Sequence, residues 1–572
     1  MLYLELAELY KQIESTTKRL EKAEILSKFL KKLSDEDKDV MYLLIGKIYP
    51  EGNEKERGIS TQIALKAISK STGASDSKVL EMWKKIGDLG KVVEELSKQK
   101  KQTTLKFVGK LTIQKVLENL RKLPELEGKG TVSLKLSLIT ELLSSASPLE
   151  AKYLIRTLIG DLRIGIKSST IREALASAFF SGDDRKQASE KIQNAYDKLS
   201  DIAVIFELSK KGIEQLEKVS LKTDKPIKVM LAQKALSIED GFEKCGKYLA
   251  AEYKYDGFRM LINKKNDSIA LYTRRLENVT KQFPDIVEVV KKNIKANSCI
   301  IDSEIVGYNP KTKKYMPFQA ISQRIRRKYE IDRLVKELPV EIKAFDIVLY
   351  NDEDLINSPF EKRSKLLKKI VKSEKYKITT SDQLITNKVS EVRKFYAKAI
   401  KDNQEGLILK NLNAPYKPGS RVGYMLKLKE ELRDFDLVIT GAEYGTGKRA
   451  GWFSSFILSC RGNKKDEYLE IGKVGTGIVE KEESKEGNEK VSFSQLTNLI
   501  KSLITDEKGT AVQVKPKIIV AVTYQEIQKS TNYSSGYALR FPRVNVLRPD
   551  KPLSEITDIQ EVEDAYGNQK KR

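Results

Sequence analysis

Along the first 220 residues apolar side chains recur every three or four positions, as in LYLELAELYKQI and RLEKAEILSKFLKKL. That period lines one face of a helix, so this stretch is predicted to be almost wholly α-helical, with loops at PEGNEKERG (50–58) and SGDDRKQ (181–187). TDKPIKV (223–229) is short, polar and carries a proline, as a linker would. From residue 248 the period shortens. YLAAEYKYDG, RMLINKK, SIALYTRR, SCIIDSEIVGY, EIKAFDIVLY and EGLILKN read as strands, with FPDIVEVVKKNIK and SPFEKRSKLLKKIVKS as helices between them. This predicts an α/β or α+β region to about residue 430. Beyond it DFDLVITGAEYG, WFSSFILSC, YLEIGKVGTG, KPKIIVAVTYQEIQ and ALRFPRVNVL read as five short strands with Gly-rich turns, a count that suits a small β-barrel. KEESKEGNEK (481–490) reads as a solvated charged loop. The expected architecture is multidomain α+β: an all-α region (1–228), an α/β region (229–430) and a β-barrel (431–572). A length of 572 residues also argues for several cores, because a single core stops growing near 250–300 residues.

Composition narrows the chemistry. The chain contains no histidine, which excludes Ser-His-Asp and Cys-His catalysis, HExxH zinc sites and imidazole proton shuttles. Three dispersed cysteines, Cys245, Cys299 and Cys460, cannot make a four-cysteine zinc cluster or a disulfide framework, and read as intracellular buried thiols. No apolar run approaches the ~18 residues of a membrane span. The N-terminal stretch carries acids within its apolar run and does not read as a signal peptide. The net charge is +25, from 105 Lys+Arg against 80 Asp+Glu. It concentrates in residues 1–230 (+9) and 231–430 (+15), leaving +1 for 431–572. A basic excess of that size and placement points to a polyanionic partner such as nucleic acid.

The stretch that carries chemistry is Glu252-Tyr253-Lys254-Tyr255-Asp256-Gly257-Phe258-Arg259, a lysine at a strand end followed by Asp-Gly and Arg. On its own a KxDG is compatible with a surface lysine on a turn. Here it is followed in order by Thr273-Arg274-Arg275-Leu276-Glu277, Asp302-Ser303-Glu304, Ala344-Phe345-Asp346, Glu405-Gly406-Leu407-Ile408-Leu409-Lys410, Tyr424-Met425-Leu426-Lys427-Leu428-Lys429, and Arg540-Phe541-Pro542-Arg543 before Asp550.

In order and spacing these segments resemble the collinear motifs of the covalent nucleotidyltransferases, the superfamily of ATP-dependent DNA ligases, RNA ligases and capping enzymes. The whole layout is similar to the archaeal-type ATP-dependent DNA ligases, relatives of the eukaryotic replicative ligases. The resemblance implies an all-α DNA-binding domain, an adenylation domain and a C-terminal OB-fold, with ATP and Mg2+ or Mn2+ as cofactors. The implied reaction seals 5′-phosphate/3′-hydroxyl nicks in duplex DNA through a lysyl-AMP intermediate, in replication, repair and recombination. Lys254 is the implied nucleophile. A lysine amine can form a phosphoramidate, and phosphoryl transfer needs positioning and charge neutralisation rather than histidine.

The resemblance extends to individual positions. Glu252 would touch the adenine and Phe345 would stack on it, although in AFDIVLY a phenylalanine is ordinarily core. Arg259 and Arg274 would hold the ribose, the α-phosphate and the 5′-phosphate of the nick. Glu304 and Glu405 would sit near the ribose and the metal; the family's DGE is DSE here, with Ser303 in place of glycine. Arg421 would contact the nucleotide. Lys427 and Lys429 alternate in a strand and so share one face, where they would meet the α-phosphate together. Arg540, Arg543 and Asp550 would orient the leaving pyrophosphate. Arg156, Gly160, Arg163, Gly165 and Lys167 resemble the family's DNA-binding segment; the same run also reads as a helix C-cap followed by a second helix. Gln102, Leu105 and Phe107 in KKQTTLKF resemble a shortened sliding-clamp (PCNA) box with one aromatic in place of two. The expected protein is a monomer on its own, intracellular and associated with the nucleoid. The rival readings are an RNA ligase or capping-type enzyme using the same lysine, and a catalytically silent DNA-binding scaffold.

Overall fold

In the computed structural model the described residues are 1–50, 59–99, 110–126, 130–316, 318–326, 329–402, 404–429, 434–464, 466–480 and 491–571. They divide into two compact units.

The first unit takes the described residues within 9–56 and 164–430. Its helical part comprises Arg19–Leu30, Val40–Leu44, Ser168–Phe179, Gly182–Leu199, Ile202–Lys211 and Ile213–Glu217. Arg19–Leu30 packs on Ser168–Phe179. The expected loop at 181–187 is the first turn of the helix Gly182–Leu199. Its apolar contacts begin only at Ala188 and continue through Ile192, Ala195, Tyr196 and Leu199, so the polar leading turn carries no helical period to read.

Residues 229–430 of this unit build two sheets. Their strands are β1 (Leu231–Lys234), β2 (Leu249–Lys254), β3 (Phe258–Lys265), β4 (Ser268–Thr273), β5 (Ser298–Tyr308), β6 (Tyr315–Met316), β7 (Val340–Tyr350), β8 (Glu353–Asp354), β9 (Ile378–Thr380), β10 (Gln383–Thr386), β11 (Gly406–Asn411) and β12 (Arg421–Lys429). One sheet has the order β1-β12-β11-β2-β10, and the other runs β4-β3-β5-β7-β8 with β6 on β5 and β9 on β7. Helices Pro284–Asn293, Phe360–Ile370 and Val389–Lys401 turn apolar faces inward, the first with proline at its first turn. Consecutive strands β2 and β3 belong to different sheets, so the three-residue turn Tyr255–Gly257 carries the chain from one sheet to the other.

The second unit takes the described residues within 1–8, 57–163 and 431–572. Its helices include Thr61–Thr72, Asp76–Ile86, Leu89–Lys98, Ile113–Lys122, Thr131–Ser145 and Pro148–Ile159. The last is fully specified locally: Ser147 and Glu150 form a capping box, Pro148 opens the first turn, and Gly160 closes the helix at φ 76°. The C-terminal part is β13 (Asp434–Tyr444), β14 (Phe453–Arg461), β15 (Tyr468–Val474), β16 (Ile504–Lys508), β17 (Ala511–Val514), β18 (Ile519–Thr523), β19 (Glu526–Lys529), β20 (Tyr537–Arg540) and β21 (Arg543–Leu547). β13 pairs with β14, β17 and β18, and β18 with β21, around a core that includes Leu437, Phe453, Phe456, Leu458, Val520 and Val522. The five expected strands are thus nine among the described residues. KPKIIVAVTYQEIQ and ALRFPRVNVL each break into two strands, and ITDEK and AVQV form a polar hairpin that the hydrophobic pattern does not show. A helix, Phe493–Lys501, and a terminal helix, Ile559–Lys571, complete the region. Among the described residues no helix is long and apolar enough to cross a membrane.

Candidate active site

Lys254 is the last residue of β2, at the junction of the two sheets. Its Nζ lies 2.6 Å from a Glu405 carboxylate oxygen, and the Glu405 amide donates to the Lys254 carbonyl at 2.9 Å. Lys429, at the end of β12, pairs with the same carboxylate. Burial alone would raise the Glu405 carboxyl, but Lys254 and Lys429 overcome it and hold the group down at about 2. The glycine of the KxDG turn is required by space: a Cβ on Gly257 would lie 2.3 Å from the Ile305 carbonyl oxygen and 3.0 Å from the Glu304 Cγ. That close approach sets Glu304 of β5 opposite Arg259 of β3 in the ladder. Burial pushes the Glu304 carboxyl up to about 7 against the pull of Lys254 and Arg259, and Glu405 adds to the rise.

Around this pair the structure gathers cations. Desolvation lowers the Lys427 and Lys429 ammonium groups, each helped by the charge of Lys254. Desolvation likewise lowers Arg274, helped by Arg259 and Arg421. Like charges that depress one another are what a polyphosphate would neutralise. The two carboxylates Glu304 and Glu405 complete the set. Among the described residues no group of three potential ligands forms a metal cage. Two carboxylates nevertheless fit Mg2+, which takes few protein ligands and fills the rest with phosphate oxygens and water, and a carboxyl pushed to about 7 gains most from such a cation.

Phe345 is the half-buried residue in an otherwise buried run of β7. The register between β5 and β7 shifts there, Asp302 facing Asp346 and Ser303 facing Ala344, so Phe345 is the extra residue of a β-bulge and leaves the core. Its ring centroid is 5.3 Å from the Arg259 Cζ and 4.9 Å from the Lys410 Nζ. Glu252, 3% exposed, receives Lys410 at 2.7 Å and the Gln383 amide at 2.8 Å, and burial raises its carboxyl despite Lys410. Residues without an assigned role in the sequence reading also belong here. Lys410 and Gln383 hold Glu252; Asp302 takes Arg259 through Nε at 2.8 Å and through Nη2; Asp346 takes Arg363 at 2.8 Å. Lys410, Asp302 and Asp346 stand inside the quoted motifs, whereas nothing in the periodicity marks Gln383.

The remaining expected residues lie in other surroundings. Arg540 is on β20 and pairs with Glu526 at 3.0 Å; Arg543 opens β21; Asp550 is exposed and pairs with Arg548 at 3.1 Å. All three belong to the second unit. In the helical region Arg156 does not face solvent. It is 1% exposed, bonds Asp88 through Nη2 at 2.6 Å and donates to the Leu162 carbonyl, so its guanidinium holds the fold rather than standing at the surface where DNA contact was expected. Arg163 is half-buried at φ 57°, donating to Asp161 at 2.6 Å and to the Gly87 carbonyl at 2.8 Å. Gly160, Gly165 and Lys167 are exposed. Gln102, Leu105 and Phe107 lie outside the described residues.

Comparison with known proteins agrees over the whole length. Families described as ATP dependent DNA ligase domain, DNA ligase N terminus and ATP dependent DNA ligase C terminal region match residues 229–429, 2–176 and 449–551. The chain belongs to the ATP-dependent DNA ligases. A protein named DNA ligase from Nanoarchaeum equitans is 42% identical over 571 residues, covering 100% of this chain and 99% of the relative. Proteins of the same name from Methanocaldococcus jannaschii and Thermococcus fumicolans are 39% and 37% identical, each covering 100% of this chain and 100% and 99% of their own. A solved structure titled Pmar-Lig_PreS3 covers 95% of this ligase and 99% of that chain at a TM-score of 0.57 and 17% identity, a likeness of fold. The architecture is accordingly a helical N-terminal region, a nucleotidyltransferase region and an OB-fold. The enzyme is a ligase that uses ATP, and its substrate is nicked DNA. The RNA-ligase, capping and silent-scaffold readings are not favoured.

Proposed function

We propose that Lys254 is the residue that carries AMP. The observation that supports this most directly is its Nζ 2.6 Å from Glu405, at the sheet junction and within the field of Lys427 and Lys429. Glu405 orients the side chain from one side and leaves the cationic wall for the phosphates. The amine, after giving up one proton, attacks the α-phosphorus of ATP; the P–N bond forms with loss of a second proton, the P–O bond to pyrophosphate breaks, and pyrophosphate leaves with the bonding electron pair. AMP then passes to the 5′-phosphate of the nick, and the 3′-hydroxyl displaces it to close the phosphodiester. Arg259, Arg274, Arg421, Lys427 and Lys429 bind and align phosphate and ribose oxygens, each arginine through its planar fork. Phe345 covers one face of the base and Glu252 lines its edge. Arg540, Arg543 and Asp550 orient pyrophosphate.

Glu304 and Glu405 are the residues that would hold Mg2+ or Mn2+, and the ion supplies charge neutralisation on the phosphate oxygens. Domain boundaries at 228/229 and 430/431, an action at the nucleoid as a monomer, and clamp attachment through Gln102, Leu105 and Phe107 complete the proposal. Loss of co-elution with the clamp in Phe107→Ala tests the last. The decisive experiment is intact-mass measurement after incubation with ATP and Mg2+. The expected result is one acid-labile AMP on the wild-type chain and none on Lys254→Ala; an adduct that persists in the variant rejects Lys254.

A further inference from the structure

Tyr416 lies in the loop before β12, outside the motifs that suggested the site. Its side chain is 1% exposed and its hydroxyl is bonded on both sides: it accepts from the Met230 amide at 3.0 Å and donates to Asp302 Oδ2 at 2.7 Å. Asp302, itself 0% exposed, receives Nε of Arg259 at 2.8 Å and also Nη2. The circuit closes because Arg259 Nη1 donates to the Met230 carbonyl at 2.6 Å. A guanidinium has five N–H donors. This circuit uses three of Arg259's and leaves two for a nucleotide beside the Phe345 ring.

We propose that Tyr416 is a positioning residue for the nucleotide step, its hydroxyl fixing the plane and reach of Arg259 through Asp302 and the Met230 backbone. The carboxylate that takes both Nε and Nη2 fixes the plane of the guanidinium. A third bond, from Nη1 to the carbonyl of Met230, whose own amide donates to the same hydroxyl, fixes its reach. Phenylalanine fills the same space but can neither accept from Met230 nor donate to Asp302, so the circuit opens at two of its bonds while the packing of the ring persists. The inference rests on the reading that Arg259 touches ATP.

The test uses the full-length protein with ATP and Mg2+, following lysyl-AMP formation against ATP concentration in wild type, Tyr416→Phe, Arg259→Ala and the double variant. The expected result for Tyr416→Phe is a rise of about tenfold in half-saturating ATP, the scale of a lost hydrogen bond to a charged group, with the amplitude of adduct unchanged. Arg259→Ala raises it at least as much, and adding Tyr416→Phe to Arg259→Ala changes it no further, since coupled residues are not additive. A purely structural tyrosine would lower the amplitude by depleting folded enzyme and leave half-saturation where it was; that outcome overturns the proposal, as does full additivity in the double variant. If Arg259→Ala itself leaves half-saturation unchanged, the reading of Arg259 fails and the proposal falls with it. If Arg259→Ala raises half-saturation and Tyr416→Phe does not, only the role of Tyr416 fails.

Discussion

Arg156 in the helical region and Arg259 in the adenylation sheets make nearly the same bonds. Each gives Nε and Nη2 to one aspartate, Asp88 or Asp302, gives Nη1 to a backbone carbonyl, and lies over an aromatic ring, Tyr153 at 5.4 Å or Phe345 at 5.3 Å. They differ in exposure, 1% for the Arg156 side chain against 15% for Arg259. A buried pair with its partners inside the fold is an element of structure, whereas a pair that keeps some exposure can present its remaining donors to a ligand. The arginine–aspartate motif therefore carries no functional meaning until the surface around it is known. Arg363 with Asp346, 1% and 2% exposed, repeats the buried version inside the adenylation region itself.

The comparison breaks most sharply under truncation. Arg156→Ala opens a cavity and removes the main partner of Asp88, which keeps Arg163 at 3.6 Å and the Gly90 and Lys91 amides, and is expected to cost about 3 kcal/mol of stability, read as a lower denaturant midpoint. Half-saturating ATP in the protein that remains folded should be unchanged. Arg259→Ala leaves the 0% exposed Asp302 with the Tyr416 hydroxyl on one oxygen alone, and whatever that costs in stability, it should shift the ATP dependence strongly. A large loss of ATP affinity in folded Arg156→Ala would erase the distinction.

An aspartate reached only through an intermediary sharpens it further. Arg172 Nη1 donates to Gln193 Oε1 at 2.7 Å, and Gln193 Nε2 donates to Asp197 at 2.6 Å, so the glutamine side chain stands between arginine and acid. Burial pushes the Asp197 carboxyl up to about 6, whereas two arginines hold Asp88 below the ordinary range in spite of its burial. With the folded value above the unfolded one, Asp197 favours folding when protonated, and that contribution fades as pH rises through about 6. Asp197→Asn is therefore expected to stabilise the protein at pH 7.5 by no more than about 3 kcal/mol, and by progressively less toward pH 4. Thermal unfolding across that range checks the sign. An advantage for the variant that grows on acidification would contradict the burial account.

Much of this was legible beforehand, and the failures have physical causes. Period 3.6 before residue 220 and period 2 after 248 located the helices and sheets because one face of each is buried. Lys254, Glu304, Glu405, Lys427 and Lys429 were singled out by the resemblance of their motifs to a known family, and the fold brings these residues to one junction. Phe345 could not be separated from core by periodicity, since a bulge changes side-chain direction without changing composition. Arg156 and Arg163 look alike in RTLIGDLRIG; burial is decided by the packing of Leu89–Lys98 on Pro148–Ile159, a contact between segments distant in sequence. Gln383 and Tyr416 act through partners on other strands, and no local pattern records that.

The smallest expected effects concern the exposed turn that follows Arg156. If the DNA-facing part of this segment is its backbone and Lys167 rather than Arg156, modest changes there should matter more for nicked duplex than a drastic change inside. Gly165 sits at φ 67°, and a Cβ there would lie 2.6 Å from the Nζ of Lys22, which is buried and donates to the Ile164 carbonyl. Gly165→Ala should therefore cost at least about 1–2 kcal/mol, the penalty of the left-handed backbone that alanine resists, and weaken nicked-duplex binding severalfold by moving the exposed amides. Lys167→Ala should leave stability untouched and lower the slope of log affinity against log salt by about one, the signature of a single phosphate contact. Anisotropy titrations at several salt concentrations measure both. If instead folded Arg156→Ala lowers the salt slope and Lys167→Ala does not, the buried arginine must emerge to meet DNA, and the division between structural and ligand-facing arginines would describe only the DNA-free enzyme.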